Sequence, residues 1–115
     1  MRESAMEEKL QKLEELFVKY GAEPTQLDEK NRAQFGMRAI YERDGKYYRA
    51  GTAEFDGQPF LILSSIDRQK FASVGMLEDI DALPADCGED RMEKAVRYAL
   101  GVEPYPEVYP ERNTD

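Results

Sequence analysis

Apolar residues recur at helical spacing along the first twenty positions of the chain, with charged residues between them. They follow one another at steps of three or four: Met6, Leu10, Leu13, Phe17 and Tyr20. Such spacing puts an apolar stripe on one face of a helix and leaves the opposite face polar. Ser4 and Glu7 stand at the spacing of a capping box, and Gly21 supplies a helix stop. We therefore predict an amphipathic helix over about 5–20 that packs on a sheet.

Three segments with strand-like patterns lie in the middle of the chain. Apolar and polar residues alternate over 35–42, and a second strand is predicted from 46 or 47 to 55. The Asp-Gly pairs at 44–45 and 56–57 have the turn chemistry of antiparallel hairpins. A third strand is predicted over 58–65, and its apolar run on both faces indicates a central position in the sheet.

The segments around this meander give weaker signals. Residues 22–34 show no sustained period and predict a connection or a frayed edge, and 65–69 predict a turn. A fourth strand over 71–77 is one interpretation of the next segment. Gly75 interrupts that strand, so a short helix remains the alternative.

A second helix is predicted over about 89–100, where apolar residues again recur at helical spacing: Met92, Ala95, Val96, Ala99 and Leu100. Asp86 and Glu89 offer an acidic capping box, and Gly101 follows as the stop. The Pro-rich tail over 102–115 is predicted to be extended or disordered. The chain thus reads as one α+β domain over 1–101: an N-terminal helix, an antiparallel meander of three or four strands, and a C-terminal helix.

Composition narrows the classes of function. The chain has 115 residues, a formal charge of −8, no histidine and one cysteine, Cys87. It lacks the basic runs that neutralise phosphates, which argues against nucleic acid and anionic lipid as partners. Its longest apolar run, 59–63, is too short to span a membrane. A lone cysteine forms no internal disulfide, so we expect a cytoplasmic protein. The pattern is typical of small bacterial cytosolic proteins, and no motif assigns a family.

The missing histidine also limits the chemistry. Ser-His-Asp and Cys-His sites need it, and a structural zinc site cannot be built from one cysteine alone. The glycines form no phosphate-binding motif. We therefore predict no catalytic residue, no metal site and no cofactor.

Carboxylates are concentrated between positions 71 and 89, a stretch that has no lysine or arginine. They are Glu78, Asp79, Asp81, Asp86 and Glu89. Three interpretations remain open: helix capping with a hydrated surface, docking of a basic protein, and metal binding or catalysis. The spacing lacks the pattern of a calcium loop, so the first two are favoured.

Aromatic residues give the second set of candidates. Tyr47 and Tyr48 are adjacent in a predicted strand, so their side chains point to opposite faces of the sheet. One of them is expected to be exposed beside Arg38 and Arg49, on a face that binds a partner. In the tail, tyrosines interleaved with prolines predict a docking peptide or a strap across the domain; they are Tyr105 and Tyr109.

Together these features favour a non-enzymatic acidic interaction module whose partner is a protein with a basic surface. An immunity-protein or antitoxin-like inhibitor belongs to this class, since acidic proteins steer onto basic ones. One alternative is a ligand-binding domain or small enzyme that uses carboxylates in a pocket between sheet and helices, with Arg38, Arg49 or Tyr48 as polar anchors. Another is a structural protein that forms a homodimer or larger homo-oligomer through a sheet face or edge.

Overall fold

The computed structural model describes residues 2–27, 29–35 and 37–103, and the side chains in those ranges apart from 2–4, 31, 32 and 35. The elements, in chain order, are α1 (Arg2–Lys19), β1 (Glu23–Pro24), α2 (Glu29–Phe35), β2 (Tyr41–Arg43), β3 (Lys46–Phe55), β4 (Gln58–Asp67), α3 (Arg68–Val74), β5 (Glu78–Pro84) and α4 (Glu89–Ala99). The strands form one antiparallel sheet in the order β1-β2-β3-β4-β5. The predicted α+β class is confirmed, with an N-terminal helix before the antiparallel meander and a C-terminal helix after it in the chain. The sheet has five strands rather than the predicted three or four.

One face of the sheet carries the main core. Helices α1 and α4 pack on this face, and their apolar stripes meet side chains from β3, β4 and β5. Phe17 lies at the centre of α1's contact, with its ring 5.5 Å from that of Tyr41 and 6.2 Å from that of Tyr48. Each buried aromatic or aliphatic side chain of this kind stabilises the fold by roughly 1.5–3 kcal/mol.

The opposite face carries a smaller core at one end of the sheet. Its buried members are Ile40, Tyr47, Ile66 and Leu77. Phe71 of α3 packs against them, and its ring meets that of Tyr47 edge-on at 5.2 Å. The short helix α3 therefore covers the sheet face that α1 and α4 leave open at this end.

Both predicted hairpin turns are confirmed. Asp44 and Gly45 have φ of 52° and 78°, and Asp56 and Gly57 have φ of 54° and 76°. Two successive residues with positive φ match the twist of the flanking strands, and Asp-Gly pairs reach this geometry at little cost. The turns hold β3 between β2 and β4 and fix its register with β4 over ten residue pairs.

The predicted connection over 22–34 is wrong, because it contains β1 and α2. The predicted strand over 35–42 is also too long: Phe35 ends α2, and β2 begins at Tyr41. The carbonyl of Ile40 explains this arrangement. It accepts hydrogen bonds from the N–H and the hydroxyl of Thr25, both at 2.9 Å, so the chain between these two residues closes as a loop.

The fourth strand was predicted one segment too early. Residues 71–77 form the end of α3 and the bend after it, so the short-helix alternative is right and the strand is wrong. Gly75, with φ of 73°, donates its N–H to the carbonyl of Phe71 at 2.8 Å and ends the helix. The predicted turn over 65–69 fails as well, since β4 continues to Asp67 and α3 follows directly.

The helix stops are confirmed, but neither capping box forms. Gly21 and Gly101 have φ of 100° and 76° after α1 and α4. Helix α1 begins at Arg2, so Ser4 lies inside it. Gly88 is the N-cap of α4 and no side chain bonds to that end, so Asp86 does not act as the cap.

Candidate functional site

The acidic stretch forms the outermost strand of the sheet. Glu78, Asp79 and Asp81 all lie on β5, which pairs with β4 and with no other strand in the described part of the chain. The first two side chains are exposed and Asp81 is half-buried. Ile80 has no pairing partner on β4, because the register shifts there, and such a bulge is frequent at sheet edges. We call the exposed border of Glu78–Pro84 the acidic edge.

Two of the acidic-edge carboxylates contact neighbouring side chains, and the third contacts the main chain. Glu78 pairs with Lys70 of α3 at 3.0 Å, and Asp79 accepts a hydrogen bond from the Ser64 hydroxyl at 2.9 Å. Asp81 accepts the N–H of Ala82 at 2.9 Å, which occupies one main-chain donor of β5. Exposed contacts of this kind contribute little stability each, about 0–1 kcal/mol. Glu78 and Asp79 can therefore exchange these contacts for those of a partner at little energetic cost.

Asp86 and Glu89 do not join the acidic edge. Asp86 lies in the loop after β5, and Glu89 begins α4, where its carboxylate is 3.9 Å from the ammonium of Lys12. Within the described residues, no group of three acidic or cysteine side chains converges as metal ligands would. The acidic run of the sequence is thus divided between a strand and a helix start.

The prediction for Tyr47 and Tyr48 is right about the directions of their side chains and wrong about the exposure of one of them. Tyr47 and Tyr48 do point to opposite faces, but both are buried, at 8% and 2% exposure. Burial also raises the pKa of the Tyr48 hydroxyl. Their neighbours are core residues, so neither ring offers a docking surface. Tyr105 and Tyr109, the other predicted docking residues, lie outside the described residues.

Arg38 and Arg49 do not form a shared anchor for a ligand. The Arg38 guanidinium binds the carboxylates of Glu7 at 2.9 Å and Glu14 at 2.7 Å, which fastens the segment before β2 to α1. These hydrogen bonds, led by that of Glu14, raise the pKa of Arg38. Arg49 lies elsewhere, in register with Ser64 and on the sheet face of Tyr47.

A groove lies between α1 and the β3–β4 hairpin, where a helix meets the sheet, as the ligand-binding alternative expects of a pocket. It has a volume of about 690 Å³ and is lined mainly by apolar residues. Its walls come from three segments: the first turns of α1 (Met6, Lys9 and Leu10), the hairpin (Ala53, Glu54 and Pro59), and the loop after β5 (Ala85 and Asp86). We call this feature the hairpin groove. None of the predicted anchor residues lines it, and no local spacing signals walls that are so far apart in the chain.

Lys9 fixes one side of the hairpin groove. Its ammonium donates to the carbonyls of Ala85 and Cys87, the latter at 3.2 Å, and so ties the loop after β5 to α1. Cys87 is half-buried beside this contact, and burial raises the pKa of its thiol even though Lys9 and Arg91 oppose the shift. A thiol with a raised pKa is a poor nucleophile near neutral pH.

Comparison of the chain with protein-family models, with curated proteins and with solved structures gave no match. In the part of the chain that the structure describes, each helix is too short or too polar to cross a membrane.

Proposed function

We propose that this chain is a non-catalytic interaction module whose acidic edge binds a protein partner with a basic surface. The observation that carries the proposal is the position of the acidic stretch: Glu78, Asp79 and Asp81 lie together on an outer strand rather than scattered over loops. An outer strand presents main-chain donors and acceptors along its free side, to which an extended segment can add.

Charge selects the kind of partner. Carboxylates at a sheet edge repel a second acidic strand and attract lysine and arginine. The formal charge of −8 extends this preference to longer range, because it steers basic proteins during diffusion. A partner with alternating basic side chains would place cations opposite the carboxylates while its backbone pairs with β5.

The same charges weigh against self-association through this edge. Antiparallel pairing of two copies of β5 brings three carboxylates from each strand into one short ladder. Like charges at such distances destabilise strand pairing, and charged edges are a common means of preventing it. A basic partner is therefore the better occupant than a second copy.

The test is charge reversal on the acidic edge. The variant Glu78→Lys/Asp79→Lys/Asp81→Lys is compared with a matched control, Glu8→Lys/Glu15→Lys/Glu23→Lys, whose exposed carboxylates lie away from β5. Both variants change the net charge equally. Tagged proteins capture partners from the native cell lysate at low and moderate salt, and the captured protein is then titrated in purified form.

We expect the native protein and the control to retain a partner that the acidic-edge variant loses, with binding weakened as salt rises. Equal loss in both variants would mean that net charge alone, and not β5, attracts the partner. If no salt-sensitive partner is captured by any of the three proteins, the acidic edge is a hydrated surface only. Thermal unfolding of each variant shows whether the fold is retained.

A further inference from the structure

The hairpin groove has the dimensions of a small-molecule site. Clefts of about 300–1,000 Å³ hold drug-sized ligands, and the groove's volume of about 690 Å³ lies within that range. It is separate from the acidic edge: no residue of β5 lines it, and its walls are α1, the hairpin and the loop that follows β5. Its apolar lining favours a ligand with a hydrocarbon or aromatic body.

The charged side chains around the groove differ in whether they already have an ion-pair or hydrogen-bond partner in the protein. Glu7 is paired with Arg38 at 2.9 Å, and Lys9 is held by two carbonyls. Glu54 and Asp86 are exposed at the rim, and among the described residues neither carboxylate has an ion pair or side-chain hydrogen bond. Lys9 keeps its positive charge, because carbonyls are neutral, but the Glu54 and Asp86 carboxylates outnumber it. The groups around the groove that have no ion-pair partner among the described residues are therefore net negative.

We propose that the hairpin groove binds a small organic cation, an amine with an apolar body. The apolar body lies on Met6, Leu10 and Pro59, and the ammonium lies at the rim in the field of Glu54 and Asp86. Burial of each methylene adds to the binding free energy, so an eight-carbon chain is long enough to bind measurably even when it is only partly covered. The ammonium adds the selectivity, because a carboxylate in the same position would be repelled.

The test uses three probes with the same eight-carbon chain: octylammonium, octanol and octanoate. Their affinities for the whole protein are measured by calorimetry up to about 1 mM, the concentration that detects a binding free energy near −4 kcal/mol. Amide chemical shifts locate the site. We expect octylammonium to bind about tenfold more tightly than octanoate, with octanol between them, and the shifts to be largest at Ala5, Ala53 and Ala85.

Two variants that each remove two negative charges separate the effect of the rim from that of the overall charge. Glu54→Gln/Asp86→Asn removes the rim carboxylates, and Glu15→Gln/Glu23→Gln removes two exposed carboxylates elsewhere. The rim variant should weaken the affinity for octylammonium about tenfold and leave the affinity for octanol unchanged. The control variant should leave both affinities unchanged.

Three results would overturn the proposal. They are octanoate binding as tightly as octylammonium, equal weakening by the control variant, and absence of binding by all three probes. None of these results bears on the acidic edge, whose carboxylates are unchanged in every protein used here. Conversely, loss of the lysate partner in the acidic-edge variant leaves the groove's amine binding intact.

Discussion

Glu93 of α4 forms an ion pair with Lys19 at the end of α1. Its carboxylate accepts a bond from Lys19 at 2.7 Å and another from the Tyr20 hydroxyl, and the Arg97 guanidinium is 3.9 Å away. Lys19, and then Tyr20, hold the pKa of Glu93 below its usual value. The ionised form is thus favoured in the folded protein over the unfolded one, which links stability to pH.

We expect Glu93→Gln to remove part of the acid sensitivity of folding. A lowered folded-state pKa contributes stability above the unfolded value, about 4.3, and loses it as pH falls through the folded value. The native protein should therefore exceed Glu93→Gln in stability at pH 7, and the gap should shrink below about pH 4. Urea unfolding at several pH values measures it. A gap that stays constant with pH would show that the contact stabilises by packing rather than by charge.

Cys87 should react slowly with alkylating reagents. Burial raises its thiol pKa, so the thiolate fraction near neutral pH is lower than that of an exposed cysteine, whose pKa is about 8.5. The rate of reaction with iodoacetamide, followed from pH 7 to 10, should have its midpoint above that of a cysteine peptide. The urea-unfolded chain is the control and should match the peptide. A folded-state midpoint below the peptide's would mean that Lys9 and Arg91 outweigh burial.

Strand β3 contributes its two adjacent tyrosines, Tyr47 and Tyr48, to two separate cores. Tyr47→Ala and Tyr48→Ala should each lower the free energy of unfolding by about 3–5 kcal/mol, the usual cost of truncating a buried aromatic ring. Phe55→Ala is the matched control, since Phe55 is an aromatic residue on the same strand that is 52% exposed.

The control should lose about 1 kcal/mol, mainly through its ring contact with Phe60 at 5.3 Å. Chemical denaturation of the three variants gives the comparison. A small effect at Tyr47 with a large one at Tyr48 would mean that the core beneath α3 contributes little, and that α3 detaches easily from the sheet.

The elements predicted correctly from sequence are those whose signals are local. The Asp-Gly turns at 44–45 and 56–57 defined the β2–β3 and β3–β4 hairpins, and the apolar periods of α1 and α4 defined both long helices. The acidic strand was missed because β5 alternates poorly: the bulge at Ile80 breaks its period, and Leu83 is its one fully buried side chain. Helix α2 has seven residues, too few for a period to emerge.

Sites depend on contacts that no local pattern contains. The position of the acidic residues at a sheet edge follows from strand order, which the meander allowed but did not specify. One of Tyr47 and Tyr48 was expected at the surface because the packing of α3 on the second sheet face could not be placed in advance. The hairpin groove joins α1 to the loop at 85–86, so its existence depends on the packing of the whole chain.

For the molecule as a whole, we expect a monomer. The like charges of the acidic edge disfavour pairing between two copies of β5. The net charge of −8 also keeps copies apart at low salt. Sedimentation equilibrium should give the monomer mass of 13.2 kDa across a range of protein concentrations, at low and at moderate salt. A mass that doubles when salt is added would favour the homo-oligomer over the interaction module, because screening would then have released an association that charge opposes.

The sequential strand order lets the sheet begin to fold during synthesis. Every strand pairs with its neighbours in sequence, so the sheet assembles from short-range hairpins that close early. The bond from Lys9 to the Cys87 carbonyl, by contrast, spans 78 positions. At translation rates of about 5–20 residues per second, α1 waits roughly 4–16 seconds after its own synthesis for the loop after β5, and longer for α4. During that interval β3 and β4 can cover only part of its apolar stripe, which makes the nascent helix a segment that a chaperone would recognise.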